Sequence, residues 1–469
     1  MTYNDAFQRL LEMEEEQGLW TRRVLGERVW PLVRLRRYRS EYLDGGAGEG
    51  DGGATTAPLI ARTRSHAGRM LASLGQLSGA VQANSHRDIW VLSSSSYRRK
   101  DDDGVFRCIF SEDLRAQLGD RLLFLEMNTA GLSAPTSDTI FVDGLHRPMM
   151  WAARAAAELC KRFPGRAAPW GDRHPSLLLY ERAVYQRTLR SAARRWIRRT
   201  RPKAIFVVCA YGLWQPVQEA AREAGIPVIE LQHGIIHGSH PGYVFVQDEA
   251  QLPPSVPDHL VVFGKTFGES LQAASPIWKS RWSVGGHSWL LKHLSAEQSR
   301  TDRVVLIGQY DTPVQKVIAQ TAAELAPMLP DWEVLIKPHP QERDTETVYR
   351  SALQAGAKLA GPRDDTYRIL PATRIAVGLH STVSIEALAA GCQSVLLPSD
   401  SRSDALQDFV DQGILTEASS AADIAEMARA AGAPTSSSVA SDLFGAGAPP
   451  LDFSALIDRV QSDRRQLET

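Results

Sequence analysis

The sequence predicts an α/β fold of two doubly wound halves, each a parallel sheet flanked by helices. Three observations predict it. At 469 residues the chain is too long for one ordinary core and fits two large domains. Apolar runs of strand length alternate with segments of helical period along most of it. The conspicuous polar motifs stand directly after the strands, at the edge where open α/β sheets bind ligands.

Composition removes several classes of function. A formal net charge of -1 argues against a dedicated nucleic-acid binder. Cys108, Cys160, Cys209 and Cys392 lack CxxC spacing, which implies neither a zinc site nor a disulfide framework and fits a reducing compartment. No hydrophobic leader follows Met1 and no long apolar run occurs, so a cytoplasmic protein is expected.

Residues 1–58 read as a basic helical arm and a Gly-rich loop. The arm carries Trp20, Trp30, Val33 and Leu35, and between Thr21 and Ser40 it sets seven arginines against one acid, Glu27. Such a stretch either packs on the first domain of its own chain or lies on an anionic membrane, at the inner face. Asp44 to Pro58 has the composition of a linker.

The first domain is expected over 59–293. A helical pattern leads into a strand at Asp88–Leu92, which ends in Ser93-Ser94-Ser95-Ser96 and then bases. Ser94 and its neighbours there either meet a sugar or phosphate or form a polar loop. Asp101-Asp102-Asp103 matches the Asp-x-Asp pattern of metal-dependent sugar transferases, but Asp-Asp-Asp-Gly reads as a solvated turn, and no metal is expected. The strand Arg121–Leu125 ends at Glu126, a candidate general base or a structural acid, and Asp138 and Asp143 follow as further candidates. A long basic helix covers 176–201. Lys203–Cys209, Trp214–Ala224 and Ile226–Leu231 then form a βαβ unit ending in Gln232-His233-Gly234-Ile235-Ile236-His237-Gly238-Ser239-His240. Glycine at a strand end lets a ligand approach the backbone, which makes His233 a catalytic candidate and Gln232, Gly234 and His237 cleft residues. Gly234, Gly238 and Pro241 break the helical face the histidines need to share a zinc ion.

The second domain is expected over 294–431, after a hinge at Leu294–Asp302. Its strand Trp332–Ile336 ends in Lys337-Pro338-His339-Pro340, where two prolines fix the backbone around one imidazole. Next come the strand Arg374–Val377, the turn Gly378-Leu379-His380-Ser381-Thr382, a helix stopped by Gly391, and a further strand. The N–H groups opening that helix lack intrahelical partners and carry partial positive charge, so an anion fits there. His380, Ser381 and Thr382 add donors, unless Ser381 merely caps the helix. Lys337 and His339 are expected from the neighbouring strand end. Residues 432–469 read as a flexible crossing followed by a last helix that returns to the first domain.

The pairing of Lys337-Pro338-His339-Pro340 with His380-Ser381-Thr382, together with Gln232-His233-Gly234, resembles GT-B-type transferases of bacterial capsule and surface polysaccharides. These include the Kdo, sialyl- and polysialyltransferases and the CDP-glycerol glycerophosphotransferases. The resemblance spans Lys203 to Pro398. It implies two Rossmann-like domains facing a cleft and a CMP- or CDP-linked donor, whose phosphate is held by His339-Pro340 and Ser381-Thr382. On this reading Glu386, on the following helix, is expected on the ribose, the acceptor is a glycan or lipid-linked glycan, and no cofactor is expected. No acid-acid-Gly element of the sialyltransferases is found, which leaves the base open among Glu126, Asp138 and His233. A sugar-nucleotide 2-epimerase uses the same layout, and a catalytically silent assembly partner is the third reading.

Overall fold

The computed structural model describes residues 3–38, 75–101, 104–131, 136–143, 149–151, 153, 177–246, 252–294, 300–309, 312–339, 342–361, 365–379, 381–397, 406–430 and 437–468. The linker at 44–58 lies outside them, as do Pro340, His380 and Asp102-Asp103.

The strands of the first half are β1 (Ile89–Ser94), β2 (Arg98–Lys100), β3 (Phe106–Cys108), β4 (Leu122–Met127), β5 (Thr139–Phe141), β6 (Ala204–Val208), β7 (Val228–Leu231), β8 (His259–Val262) and β9 (Trp282–Val284). Seven of them form a parallel sheet in the order β5-β4-β1-β6-β7-β8-β9, while β2 and β3 make a separate antiparallel hairpin. The second half holds β10 (Arg303–Ile307), β11 (Glu333–Lys337), β12 (Lys358–Leu359), β13 (Ile375–Gly378), β14 (Gln393–Leu396) and β15 (Thr416–Glu417). These six are parallel in the order β12-β11-β10-β13-β14-β15. Both sheets start in the middle, wind outward one way and then return to wind the other way. That is the doubly wound topology, and its ligand crevice lies where the winding reverses. Here the reversals fall between β1 and β6 and between β10 and β13. The fold is therefore GT-B-like, with two Rossmann-like domains facing a cleft.

The strands are apolar because both faces are covered. One face of the first sheet sends Trp90, Leu92, Leu125 and Val207 against Tyr185 and Trp196 of the helix Leu177–Thr200. The alternate residues Val91, Phe124 and Phe206 pack on Phe453, Ile457 and Val460 of the last helix, Phe453–Glu468, so the chain's end covers the first domain. A third cluster joins the halves: Phe263 and Phe267 of the first meet Phe444 and Phe409 of the second, with ring centroids 6.3 and 6.0 Å apart.

Several details depart from expectation. Within the stretch read as a flexible crossing, Ser437–Phe444 is a helix, because Leu443 and Phe444 are buried at the domain junction. It lies so close that a β-carbon on Gly264 would run into the Asp442 carbonyl. Thr345–Val348 and Arg350–Gln354 are two short helices separated at Tyr349, whose buried side chain donates to Glu342 at 2.7 Å. The edge strands β5, β12 and β15 are too short to show a period in sequence.

The basic arm packs on its own chain. Helices α1 (Tyr3–Glu16) and α2 (Trp30–Tyr38) bury Phe7, Leu10, Trp30 and Val33 in the same cluster as Phe245 and Leu260 of the first domain. Among the described residues no helix is long and apolar enough to cross a membrane.

Candidate active site

The carboxyl edge of the first sheet gathers the ends of β1, β6 and β7. After β6 the chain turns through Cys209, whose φ of 72° is a left-handed conformation that non-glycine residues seldom adopt. The turn aims the Ala210 N–H at the carboxylate of Glu230, inside β7, at 3.0 Å. Tyr243 donates to the same oxygen, Oε1, at 2.8 Å, whereas Oε2 has no hydrogen-bond partner among the described residues. Burial pushes the Glu230 pKa up to about 8, so this carboxyl is protonated at neutral pH, and the unpartnered Oε2 is where the proton fits.

His233 sits just beyond. Its Nε2 is 3.0 Å from the Tyr211 hydroxyl, its Nδ1 is 3.4 Å from the Tyr243 hydroxyl and 3.7 Å from Glu230 Oε1. Because Tyr243 spends its single proton on Glu230, it accepts from Nδ1–H, which leaves Nε2 as the ring's acceptor. Burial lowers the His233 pKa to about 4, so the imidazole is neutral and able to take a proton at pH 7. Tyr97 flanks the ring, with centroids 5.8 Å apart.

The other named residues of the turn have supporting parts. Gln232 is buried; its Oε1 accepts from Phe263 N–H at 2.7 Å and its Nε2 donates to the Gly234 carbonyl at 2.8 Å, which fixes where the turn leaves the sheet. His237 accepts from Ser239 N–H at 3.3 Å and is also held neutral, its pKa lowered to about 4 by burial. Gly234 faces the other domain: a β-carbon on it would touch the Thr382 methyl at 3.9 Å.

Thr382 opens the helix Thr382–Ala389, and the Ser381 hydroxyl accepts from Val383 N–H at 3.2 Å. Ser381 therefore caps the helix, and Thr382 stands exposed beside it. One turn on, Glu386 accepts from the Tyr367 hydroxyl at 3.1 Å. Burial pushes its pKa up to about 7, against hydrogen bonds from Tyr367 and Thr382 and the charge of Arg99, which reaches across from the hairpin of the first domain.

His339 and Ser381 are not on neighbouring strands. β10 stands between β11 and β13, because the sheet's first strand occupies its centre and later strands are added on either side. Two strand spacings, roughly 10 Å, separate the two motifs, about the span of a nucleotide's phosphates and ribose. Between them lie Gly308 and Gln309 at the end of β10. The Gly308 N–H donates to the Lys337 carbonyl at 2.9 Å. Lys337 is buried and its Nζ donates to the Pro338 carbonyl at 2.8 Å. His339 is half-buried; its N–H donates to Glu342 at 2.6 Å, and burial, with the charge of Lys337, lowers its pKa.

The two carboxylates proposed as bases are engaged elsewhere. Glu126 is fully buried and paired with Arg98 at 2.8 Å; burial pushes its pKa up against that pull. Asp138 stands just before the edge strand β5, where burial raises its pKa but a hydrogen bond from Thr136 and the charge of Arg115 outweigh it and hold the carboxyl below its ordinary range. Asp143 accepts from Asn128 N–H at 2.7 Å. Ser94 pairs with the Thr129 hydroxyl at 2.6 Å across the ends of β1 and β4. Asp101 is held by Arg107 and Lys292, at 2.9 and 3.4 Å.

Sequence reading passed over Glu230, Tyr211, Tyr243 and Gly308. An acid inside the apolar run Val228–Leu231 was the available signal for the first.

Glu230 also makes a stability prediction. Its folded pKa is raised, so its contribution is full below the unfolded value near 4.5 and is lost as pH rises toward 8. Across that window the wild type should lose about 1 kcal/mol per pH unit relative to Glu230→Gln, whose side chain stays neutral. Urea midpoints of the two proteins at several pH values would show it; parallel curves would refute the raised pKa.

No family model and no curated protein matches this chain. Solved structures do. Acinetobacter baumannii MurG is 13% identical, with 80% of this chain and 99% of that chain covered and a TM-score of 0.44. A UDP-GlcNAc 2-epimerase from Methanocaldococcus jannaschii is 9% identical, with 73% and 91% covered and a TM-score of 0.45. The glycosyltransferase of kitacinnamycin is 14% identical, with 81% and 94% covered and a TM-score of 0.43. Likeness at this level carries no argument about chemistry, which rests on the residues of the cleft themselves.

Proposed function

We propose that the protein is a metal-independent glycosyltransferase. It moves a sugar from a nucleotide donor, of the cytidine-linked class, to a surface-polysaccharide or lipid-linked glycan. The observation that supports this most is the meeting of two strand-end edges at Gly234 and Thr382. A neutral histidine backed by a buried acid stands on one side, and a helix N-terminus stands on the other.

The donor lies in the crevice between β10 and β13. Its phosphate takes the N-terminus of the Thr382–Ala389 helix and the Thr382 hydroxyl on one side and His339 on the other; its ribose lies toward Glu386. These donors stabilise the charge that builds on the leaving phosphate. On the facing edge, His233 accepts the proton of the acceptor hydroxyl at Nε2, where the Tyr211 hydroxyl now sits. A base on the acceptor side fits displacement with inversion.

His339→Ala removes a hydrogen bond to a charged phosphate and should weaken donor binding by about 1.5–3 kcal/mol, with little change in unfolding midpoint. Unchanged affinity by calorimetry would take His339 out of the site. The function is tested by thermal shift with CMP, CDP, UDP and GDP, with and without magnesium, since a ligand that binds only the folded state raises stability. Stabilisation by CMP or CDP without metal is expected. A shift with UDP alone discards the cytidine donor, and conversion of a UDP-sugar to its epimer without acceptor replaces transfer with epimerisation.

A further inference from the structure

Two arginines of the arm line a recess away from the cleft. At the opposite edge of the first sheet, where the strands begin, Arg222 precedes β7 and Arg281 precedes β9. Arg23 and Arg28 of the arm come to the same place, together with Arg190 of the helix Leu177–Thr200, around a recess of about 490 Å³.

Two acids line it, Glu219 and Glu223, and both are already paired. Arg190 binds Glu219 at 3.0 Å and Glu27 at 2.7 Å, and Arg194 holds Glu223 at 2.5 Å. Among the described residues, five arginines and two glutamates line the recess. Arg190 Nε, in that wall, is buried with no hydrogen-bond partner among the described residues. Leu252, Pro254 and Val256 form an apolar floor, which lowers the local dielectric and strengthens attraction for an anion. Planar guanidinium forks match phosphate oxygens two at a time.

We propose that this recess is a second ligand site that binds a phosphate-bearing anion, on the face of the first domain away from the transfer cleft. The arm completes it, since without Arg23 and Arg28 only the domain's own Arg190, Arg222 and Arg281 remain. The chemistry is that of a phosphate monoester or diphosphate, whether on a soluble molecule or on a lipid headgroup.

The test uses the full chain. Inorganic pyrophosphate is titrated by calorimetry at low ionic strength, and sedimentation is measured with phosphatidylcholine vesicles with and without phosphatidic acid. Binding of pyrophosphate indicates a soluble source, and binding confined to phosphatidic acid vesicles indicates a headgroup; either supports the site if it weakens about tenfold or more in Arg28→Ala/Arg281→Ala and survives in His339→Ala. Arg23→Glu, at an exposed position, is the second variant and should weaken binding even if the double variant folds poorly. The proposal is overturned if neither probe binds, if Arg23→Glu binds as wild type does, or if His339→Ala abolishes the binding.

Discussion

His233→Ala is expected to lower kcat by about 10² to 10⁴-fold, the usual worth of a positioned general base, while donor affinity stays near wild type. The split follows from geometry. His233 belongs to the acceptor edge, and the donor's phosphate is assigned to groups on the other domain. A fall in donor affinity with kcat intact would reverse the assignment. The pH profile gives a second reading. The base must be unprotonated to act, so activity is lost as pH falls through its pKa. Burial lowers that pKa to about 4, and kcat/KM should therefore hold level from pH 7 to about 5 before it drops. An acid limb near 6.5, the value of an exposed imidazole, would remove His233 from the role. Tyr211→Phe separates direct from relayed transfer. It takes away the hydroxyl 3.0 Å from Nε2, so a relay loses activity while a hydroxyl that merely holds the place of the acceptor does not matter.

The strand ends that build this cleft can be read in sequence because of how parallel sheets are made. Each strand is buried on both faces and appears as an unbroken apolar run, and the residues after it must leave the sheet, so Gln232-His233-Gly234 and Lys337-Pro338-His339 are announced by the runs before them. The order of the strands is set by crossovers between distant segments, and that is why β10 was not foreseen between His339 and Ser381. Glu126 illustrates the same limit. As a strand-end carboxylate it resembles a base, but its fate is settled by Arg98, which arrives on a hairpin whose three-residue strands show no period. Glu230 is the reverse case: in sequence it is one acid in an apolar strand, and only the turns that bring in Ala210 and Tyr243 give it a partner set.

Glu14→Ala is expected to cost about 3–5 kcal/mol of stability, because it leaves a buried guanidinium without its counter-charge. Arg34 is one of seven arginines in a short basic stretch, and sequence gives no reason to separate it from the rest. In the fold it is nearly inaccessible and donates to both Glu14 oxygens, at 2.6 and 3.0 Å, and Trp30 adds a third hydrogen bond to the same carboxylate at 2.6 Å. Its guanidinium lies 5.0 Å from the Trp20 ring and 5.3 Å from Phe245. Its Nη1 donates to the carbonyls of Pro241 and Val244, the segment that carries Tyr243 back under His233. The pair thus has two consequences that separate experimentally. In Glu14→Met/Arg34→Met no buried charge is left, and stability should recover most of what Glu14→Ala loses, since well-packed apolar replacements of buried ion pairs are often neutral or better. Activity should not recover with it, because the carbonyls of Pro241 and Val244 lose the guanidinium that ties them to the arm, and the Tyr243 hydroxyl is then set less firmly against Glu230 and His233. Urea midpoints set beside kcat for the single and double variants decide the matter, and full activity in the double variant would show that the arm supports the fold without setting the site.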